Sequence, residues 1–234
     1  MKLDILVFGA HPDDVELGCA GTLIKEVQNN KKVGIIDLTR GELGTRGSAN
    51  TRDYETKRAT EIMGITIREN MNFRDGFFAN DEQHQMELVK MIRKYRPEIV
   101  LCNAVQDRHP DHGKGSKLVS DACFLAGLRK VETGQDAWRP KAVYHYIQFN
   151  RITPDFVVDV SDFIDAKIAA VEAYASQFYN PNSKEPETVI SSKGFLDSVK
   201  HRSADLGRLS GVGYAEGFTV ERMPAVDSLD VFLK

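Results

Sequence analysis

Cysteine is scarce in this chain: Cys19, Cys102 and Cys123 are the whole set in 234 residues, with no CxxC and no metal-ligand spacing among them. A cysteine-built metal or redox centre is therefore excluded, and the odd number fits buried, reduced thiols in a reducing compartment. Long apolar runs are also missing. No segment approaches the ~18 residues needed to span a bilayer. The short apolar run near the N-terminus is preceded by Asp4, and the chemistry-bearing residues begin at His11, so a cleaved signal peptide would remove them. Charge of one sign is not in excess: 31 Lys and Arg face 34 Asp and Glu, for a net charge of -3. No block of five like charges occurs, and a pI near 6.1 offers no nucleic-acid footprint. Internal repeats, low-complexity stretches and a convincing linker are absent. The expectation is a soluble, cytoplasmic protein that binds neither nucleic acid nor membrane.

What is present is ordinary globular material, 41% hydrophobic and 28% charged, enough for a large core. Over the first two thirds, strand-like apolar runs alternate with helical periodicity. Strands are expected at 3–8, 33–38, 65–70, 98–102, 143–148 and 156–160. Helices are expected at 15–28, 52–63, 81–95 and 112–129. This order predicts an α/β fold with a Rossmann-like, doubly wound, mostly parallel sheet and helices on both faces. The C-terminal third reads as a helical elaboration: a helix over 161–178, a loop over 180–186, a helix over about 189–209 and a last strand over 211–218. The domain expectation is one unit over 1–234, with a core over about 1–160 and the elaboration over about 161–234.

Two clusters stand out. Ala10-His11-Pro12-Asp13-Asp14 follows the first strand, and His109-Pro110-Asp111-His112 follows the fourth. Each cluster precedes a helix, so each falls where ligands bind in such sheets. Zinc accepts imidazole nitrogen and carboxylate oxygen, and a catalytic site uses three protein ligands plus water. Pro12 restricts the backbone after His11, so His11 and Asp14 can converge on one ion while Asp13 faces its open position. His112, at the start of a helix, can supply the third ligand. Bound zinc lowers the pKa of water to roughly 7, and an ionised Asp13 could take the proton as general base. His109 is placed to stabilise developing oxyanion charge as a cation or hydrogen-bond donor, with Asp111 holding its imidazole in one tautomer. His84, His145 and His201 have no such neighbours and read as solvated or core residues.

These motifs resemble the zinc-dependent N-acetylglucosaminide deacetylases of the PIG-L/LmbE family. The likeness runs along nearly the whole chain. Leu38 to Gly47 looks like the family's substrate loop, and Arg52 like its substrate-contacting arginine. Tyr174-Ala175-Ser176-Gln177-Phe178 and Tyr214-Ala215-Glu216-Gly217-Phe218 are similar to the subgroup that deacetylates N-acetylglucosaminyl malate in bacillithiol synthesis. The resemblance implies one zinc ion per chain held by His11, Asp14 and His112, although other divalent metals remain open on affinity grounds. It implies Asp13 as base and His109 as charge stabiliser or proton donor oriented by Asp111. It also implies a homo-oligomer, often a hexamer. Some relatives carry a tyrosine thought to reach the oxyanion; Phe195 aligns with it here and cannot donate that bond.

The glycine-rich segment from Gly41 to Gly47 suits close backbone approach to a ligand. Arg52 and Arg46 suit a substrate carboxylate such as malate, and Glu42 joins them as a substrate-binding candidate. The expected activity is removal of acetyl from the 2-acetamido group of a small sugar conjugate, foremost N-acetylglucosaminyl malate. The rivals are another N-acetylglucosamine conjugate or a chitooligosaccharide, a metal-dependent phosphoesterase, and a non-catalytic sugar-binding module.

Overall fold

The computed structural model describes residues 1–232. Seven strands form one sheet: β1 (Ile5–Gly9), β2 (Val33–Thr39), β3 (Ile67–Phe73), β4 (Ile99–Asn103), β5 (Ala142–Tyr146), β6 (Phe156–Asp159) and β7 (Ala215–Val220). Their order across the sheet is β3-β2-β1-β4-β5-β7-β6. The first five in that order run parallel, and β7 lies antiparallel between β5 and β6. The α/β, doubly wound expectation holds. The chain beyond residue 160 also enters this sheet, because β7 completes it.

Six helices cover the sheet: α1 (Asp14–Gln28), α2 (Ala49–Met63), α3 (Glu82–Tyr95), α4 (Pro110–Ala126), α5 (Ile164–Glu172) and α6 (Lys193–Ser210). Alternation along the central strands explains both layers. Leu6 and Phe8 of β1 pack with Leu88, Ile92, Leu118 and Ala122 of α3 and α4. Ile5 and Val7 pack on the opposite face with Val15 and Leu23 of α1 and Met63 of α2. Burying one such side chain contributes about 1.5–3 kcal/mol. Tyr174, Phe178, Leu196 and Val199 form a separate small core under the C-terminal helices.

Local chemistry sets the helix ends. Asp81 accepts the amide of His84 at the start of α3, which stops at Arg96 in the left-handed region, before Pro97. Pro110 opens α4, two residues ahead of the expected start, because a first helical position needs no N–H. The helix expected over 161–178 is shorter. Ser161 is held by Asp159 and by the amides of Gly213 and Tyr214, leaving a 3-10 turn before α5. Past Glu172 the backbone turns so that Ser176 reaches Glu55 and Gln177 reaches the Arg46 carbonyl. Helix α1 kinks at Cys19, and the freed amides of Gly21 and Thr22 donate to the buried Glu216 carboxylate. Glu216 is in turn paired with buried Lys167. All three cysteines are buried and free. No helix among the described residues is long and apolar enough to cross a membrane.

Candidate metal centre and active site

Strands β1 and β4 are neighbours, so the loops leaving their C-terminal ends meet although almost a hundred residues separate them. Here the strand order reverses, since β2 lies on one side of β1 and β4 on the other. Asn103, the last residue of β4, ties the two ends together. Its Oδ1 accepts the Ala10 amide at 2.9 Å, and its Nδ2 donates to Asp14 Oδ2 at 3.0 Å.

The first loop is tight. The His11 amide donates to Asp14 Oδ2 at 2.9 Å, and the Asp14 amide to the His11 carbonyl at 3.3 Å. Asp13 sits between them with φ 115°, a left-handed conformation rare for a residue with a Cβ. That strained backbone directs its carboxylate to Arg52, whose Nη1 donates to Asp13 Oδ2 at 2.9 Å and to the Pro12 carbonyl. Burial pushes the Asp13 carboxyl up to about 7 against the pull of Arg52.

The metal-donor chemistry converges on Asp14. His112 Nε2 lies 3.1 Å from Asp14 Oδ1, and His11 Nδ1 lies 3.6 Å from Asp14 Oδ2. The far nitrogens of both rings face carboxylates: His112 Nδ1 meets Asp107 at 2.9 Å, and His11 Nε2 meets Asp75 at 3.0 Å and Asp111 at 3.4 Å. Metal-binding histidines are typically backed in this way, because an outer carboxylate fixes the ring and its tautomer. Donors of His11, His109 and His112 lie within 4.8 Å of one another, as do those of His11, Asp75 and Asp111. The carboxylates of the second set are engaged in further contacts. Asp111 already takes the Gly76 amide and the Lys114 ammonium, and Asp75 takes the Leu43 amide. The two imidazoles turned to the Asp14 carboxylate are donors of the kind a divalent cation takes. Burial works to raise the Asp14 carboxyl, and the His112 and His11 imidazoles outweigh it and hold it well below its usual range.

His109 caps α4. Its Nδ1 accepts the Asp111 amide at 3.2 Å, so the neutral ring carries its proton on Nε2. The ring stands 4.6 Å from that of His11, edge to face. Burial, with His11 and His112 nearby, lowers its pKa, so the neutral form is favoured. The Asp111 carboxylate does not reach His109; it stands behind His11 instead.

The cleft above these groups has a volume of about 790 Å³. Asp13, Arg52, His109 and Phe195 line it, together with Gly44 and Thr45 of the glycine-rich loop. Neither Glu42 nor Arg46 belongs to its described lining. Glu42 accepts the Asp75 amide at 2.8 Å, and buried Arg46 donates to Ser183 and approaches Glu185 at 3.5 Å. Sequence reasoning missed Asp75, Asp107, Asn103 and Gln148. Gln148 donates to Asp14 Oδ1 at 2.7 Å. Their only signal is position at or just past a strand end. His145, read as a solvated or core residue, is buried beside Cys102, Ser116 and Glu221. His84 pairs with Asp81 on the surface, and His201 is exposed.

Residues 6–123 match the model of the family described as GlcNAc-PI de-N-acetylase, PIG-L. Diacetylchitobiose deacetylase of Thermococcus kodakarensis is 31% identical over 229 residues, covering 91% of this chain and 81% of that protein. A probable N-acetyl-alpha-D-glucosaminyl L-malate deacetylase 2 of Bacillus anthracis is 29% identical over 190 residues, covering 74% of this chain and 81% of its own. The crystal structure of a conserved protein from Thermus thermophilus superposes with a TM-score of 0.88 at 37% identity, covering 97% of this chain and 98% of that one. Both histidine–aspartate clusters fall inside the matched segment, and the chain belongs to the GlcNAc-PI de-N-acetylase (PIG-L) family of metal-dependent N-deacetylases.

Proposed function

We propose that this deacetylase hydrolyses the 2-acetamido group of N-acetylglucosaminyl malate, using one zinc ion held by His11, Asp14 and His112. The observation that carries the metal reading is the pair of imidazole nitrogens turned to the Asp14 carboxylate, each ring backed by a second carboxylate. The ion, when bound, lowers the pKa of water to roughly 7 and polarises the amide carbonyl.

The residues supply the rest. Asp13, fixed by Arg52, accepts the proton of the attacking water. His109 donates its Nε2–H to the oxyanion of the tetrahedral intermediate as a neutral donor, because protonating Nδ1 would break the cap to the Asp111 amide. The proton held by Asp13 then passes to the departing nitrogen, the C–N bond breaks, and acetate and a free amine leave. With Phe195 at the position aligned with the relatives' tyrosine, His109 is the side chain offered for the oxyanion.

Support for the malate part comes from Arg108. Its guanidinium lies 5.0 Å above the Phe149 ring at the mouth of the cleft, and no carboxylate among the described residues pairs with it. A free, stacked arginine suits bidentate recognition of a carboxylate. Arg52 is committed to Asp13, and Arg46 and Glu42 brace loops in this reading. Homo-oligomer formation and a cytoplasmic setting belong to the same proposal. The test is metal analysis of the purified protein beside acetate release from N-acetylglucosaminyl malate, its malate-free methyl glycoside and N,N'-diacetylchitobiose. Zinc at one per chain with malate-dependent turnover supports the proposal. Equal rates on all three substrates would remove the malate assignment and leave the deacetylase.

A further inference from the structure

Asp75 makes three contacts that join two parts of the site. Its Oδ1 lies 3.0 Å from His11 Nε2, its Oδ2 accepts the Leu43 amide at 2.9 Å, and its own amide donates to Glu42 Oε1 at 2.8 Å. The side chain is 7% exposed. Leu43 and Glu42 belong to the glycine-rich loop, whose Gly44 and Thr45 line the cleft. Gly41 and Gly47 bound that loop with φ of 62° and 72°, backbone states that other residues adopt only under strain. Its far end is held by Gln177 on the Arg46 carbonyl and by Glu185 on the Gly47 amide. The near half rests on Asp75.

We infer that Asp75 is a positioning residue that clasps the glycine-rich loop to His11, so that the loop's position and the seat of the metal stabilise each other. The inference rests on the reading of His11 as a metal ligand. With Nδ1 turned to Asp14, the His11 proton sits on Nε2, and Asp75 is its nearer acceptor. Asp111, 3.4 Å from the same nitrogen, is the second, so loss of Asp75 weakens the support without abolishing it. The bond between Glu42 and the Asp75 amide closes the bracket from the loop side. A loop loosened at Glu42 therefore acts on the ion through Asp75, although Glu42 touches no metal-facing group.

Three variants of the zinc-loaded protein test this: D75A, D75N, which keeps the side chain's shape, and E42A. The readouts are zinc transfer to a chromogenic chelator and hydrogen exchange at the Leu43 amide, neither of which depends on substrate. D75A is expected to speed zinc loss about 10- to 100-fold, with D75N between it and the wild type. Both expose the Leu43 amide to exchange. E42A also speeds exchange there, and it raises zinc loss roughly two- to tenfold through the coupling. An E42A protein with faster exchange and unchanged zinc loss overturns the clasp, as does a D75N protein with both rates unchanged. A wild type that takes up no zinc overturns the metal reading and the clasp together. Zinc at one per chain with silent variants overturns the clasp alone.

Discussion

Arg52 Nη1 stands 2.9 Å from Asp13 Oδ2, and the two side chains are only 7% and 8% exposed. A buried carboxylate without its cation is costly, and removing one partner of such a pair destabilises by about 3–5 kcal/mol. We expect Arg52→Ala to lower the unfolding free energy by up to roughly that amount above about pH 7, and by less below it, where burial leaves the Asp13 carboxyl protonated. Adding Asp13→Asn should recover part of the loss, because the amide leaves no uncompensated charge. Chemical denaturation of the two single variants and the double variant gives the coupling energy. Additive effects would mean that the pair is not an energetic unit.

The backbone at Asp13 leads to a second expectation. With φ 115°, any residue bearing a Cβ is strained there, at a cost of about 1–3 kcal/mol. Asp13→Gly and Asp13→Ala should both lose turnover by about 100-fold or more, since each removes the proposed base. Asp13→Gly should nonetheless melt above Asp13→Ala. Thermal melts and acetate release on the same preparations check this, and equal melting points would argue against stored strain at the base.

The same local geometry explains how much could be read from the sequence. The two clusters were legible because each follows an apolar strand, and neighbouring parallel strands bring their ends together. The two-face alternation of Leu6 and Phe8 against Ile5 and Val7 was legible for the same reason. The carboxylates behind the imidazoles were not. Asp75 is 64 residues from His11, and only the register of β3 on β2 brings it near. Asp111, two residues from His109, suggests a partner for that ring. But His109 is an extended cap with ψ 129°, turned onto the Asp111 amide, while the Asp111 carboxylate reaches Gly76 and His11. The place of Arg52 in the cleft was legible, but its burial against Asp13 was not, because that contact depends on where α2 lands.

His109 should separate chemistry from metal binding. Its Nδ1 is engaged as a helix cap, so the contribution proposed for it in turnover is one neutral Nε2–H. Removing an oxyanion donor typically costs about 100- to 1,000-fold in kcat. His109→Ala should show that loss while still binding one metal per chain, and should lose about 1 kcal/mol of stability with the cap. Metal content, kcat and a melting curve decide the matter. If His109→Ala emptied the site of metal, the ring would be a ligand and the oxyanion assignment would fall.

Buried His145 carries a pH expectation that stands apart from the ion. Its Nδ1 faces the Asn103 carbonyl at 3.1 Å, the Ser116 hydroxyl at 2.8 Å and the Cys102 sulfur at 3.3 Å, and its Nε2 faces Glu221 at 3.2 Å. Burial opposes a charge there, but Cys102, Glu221 and the Asn103 carbonyl outweigh it and push the imidazole up to about 10. An unfolded histidine titrates near about 6.5. The folded pKa is the higher one, so the stabilisation is complete below about 6.5 and is lost as the pH rises through about 10. Glu221 works in the opposite sense: its folded pKa is lowered, so its share is lost as acid protonates it. The melting-point gap between wild type and His145→Gln should therefore be widest near about pH 6 and close toward about pH 10.5, both marks set by the same linkage. A gap that stays constant from pH 6 to about 10.5 would mean that the folded imidazole is neutral throughout, and that Glu221 is held by Ser120 rather than by His145.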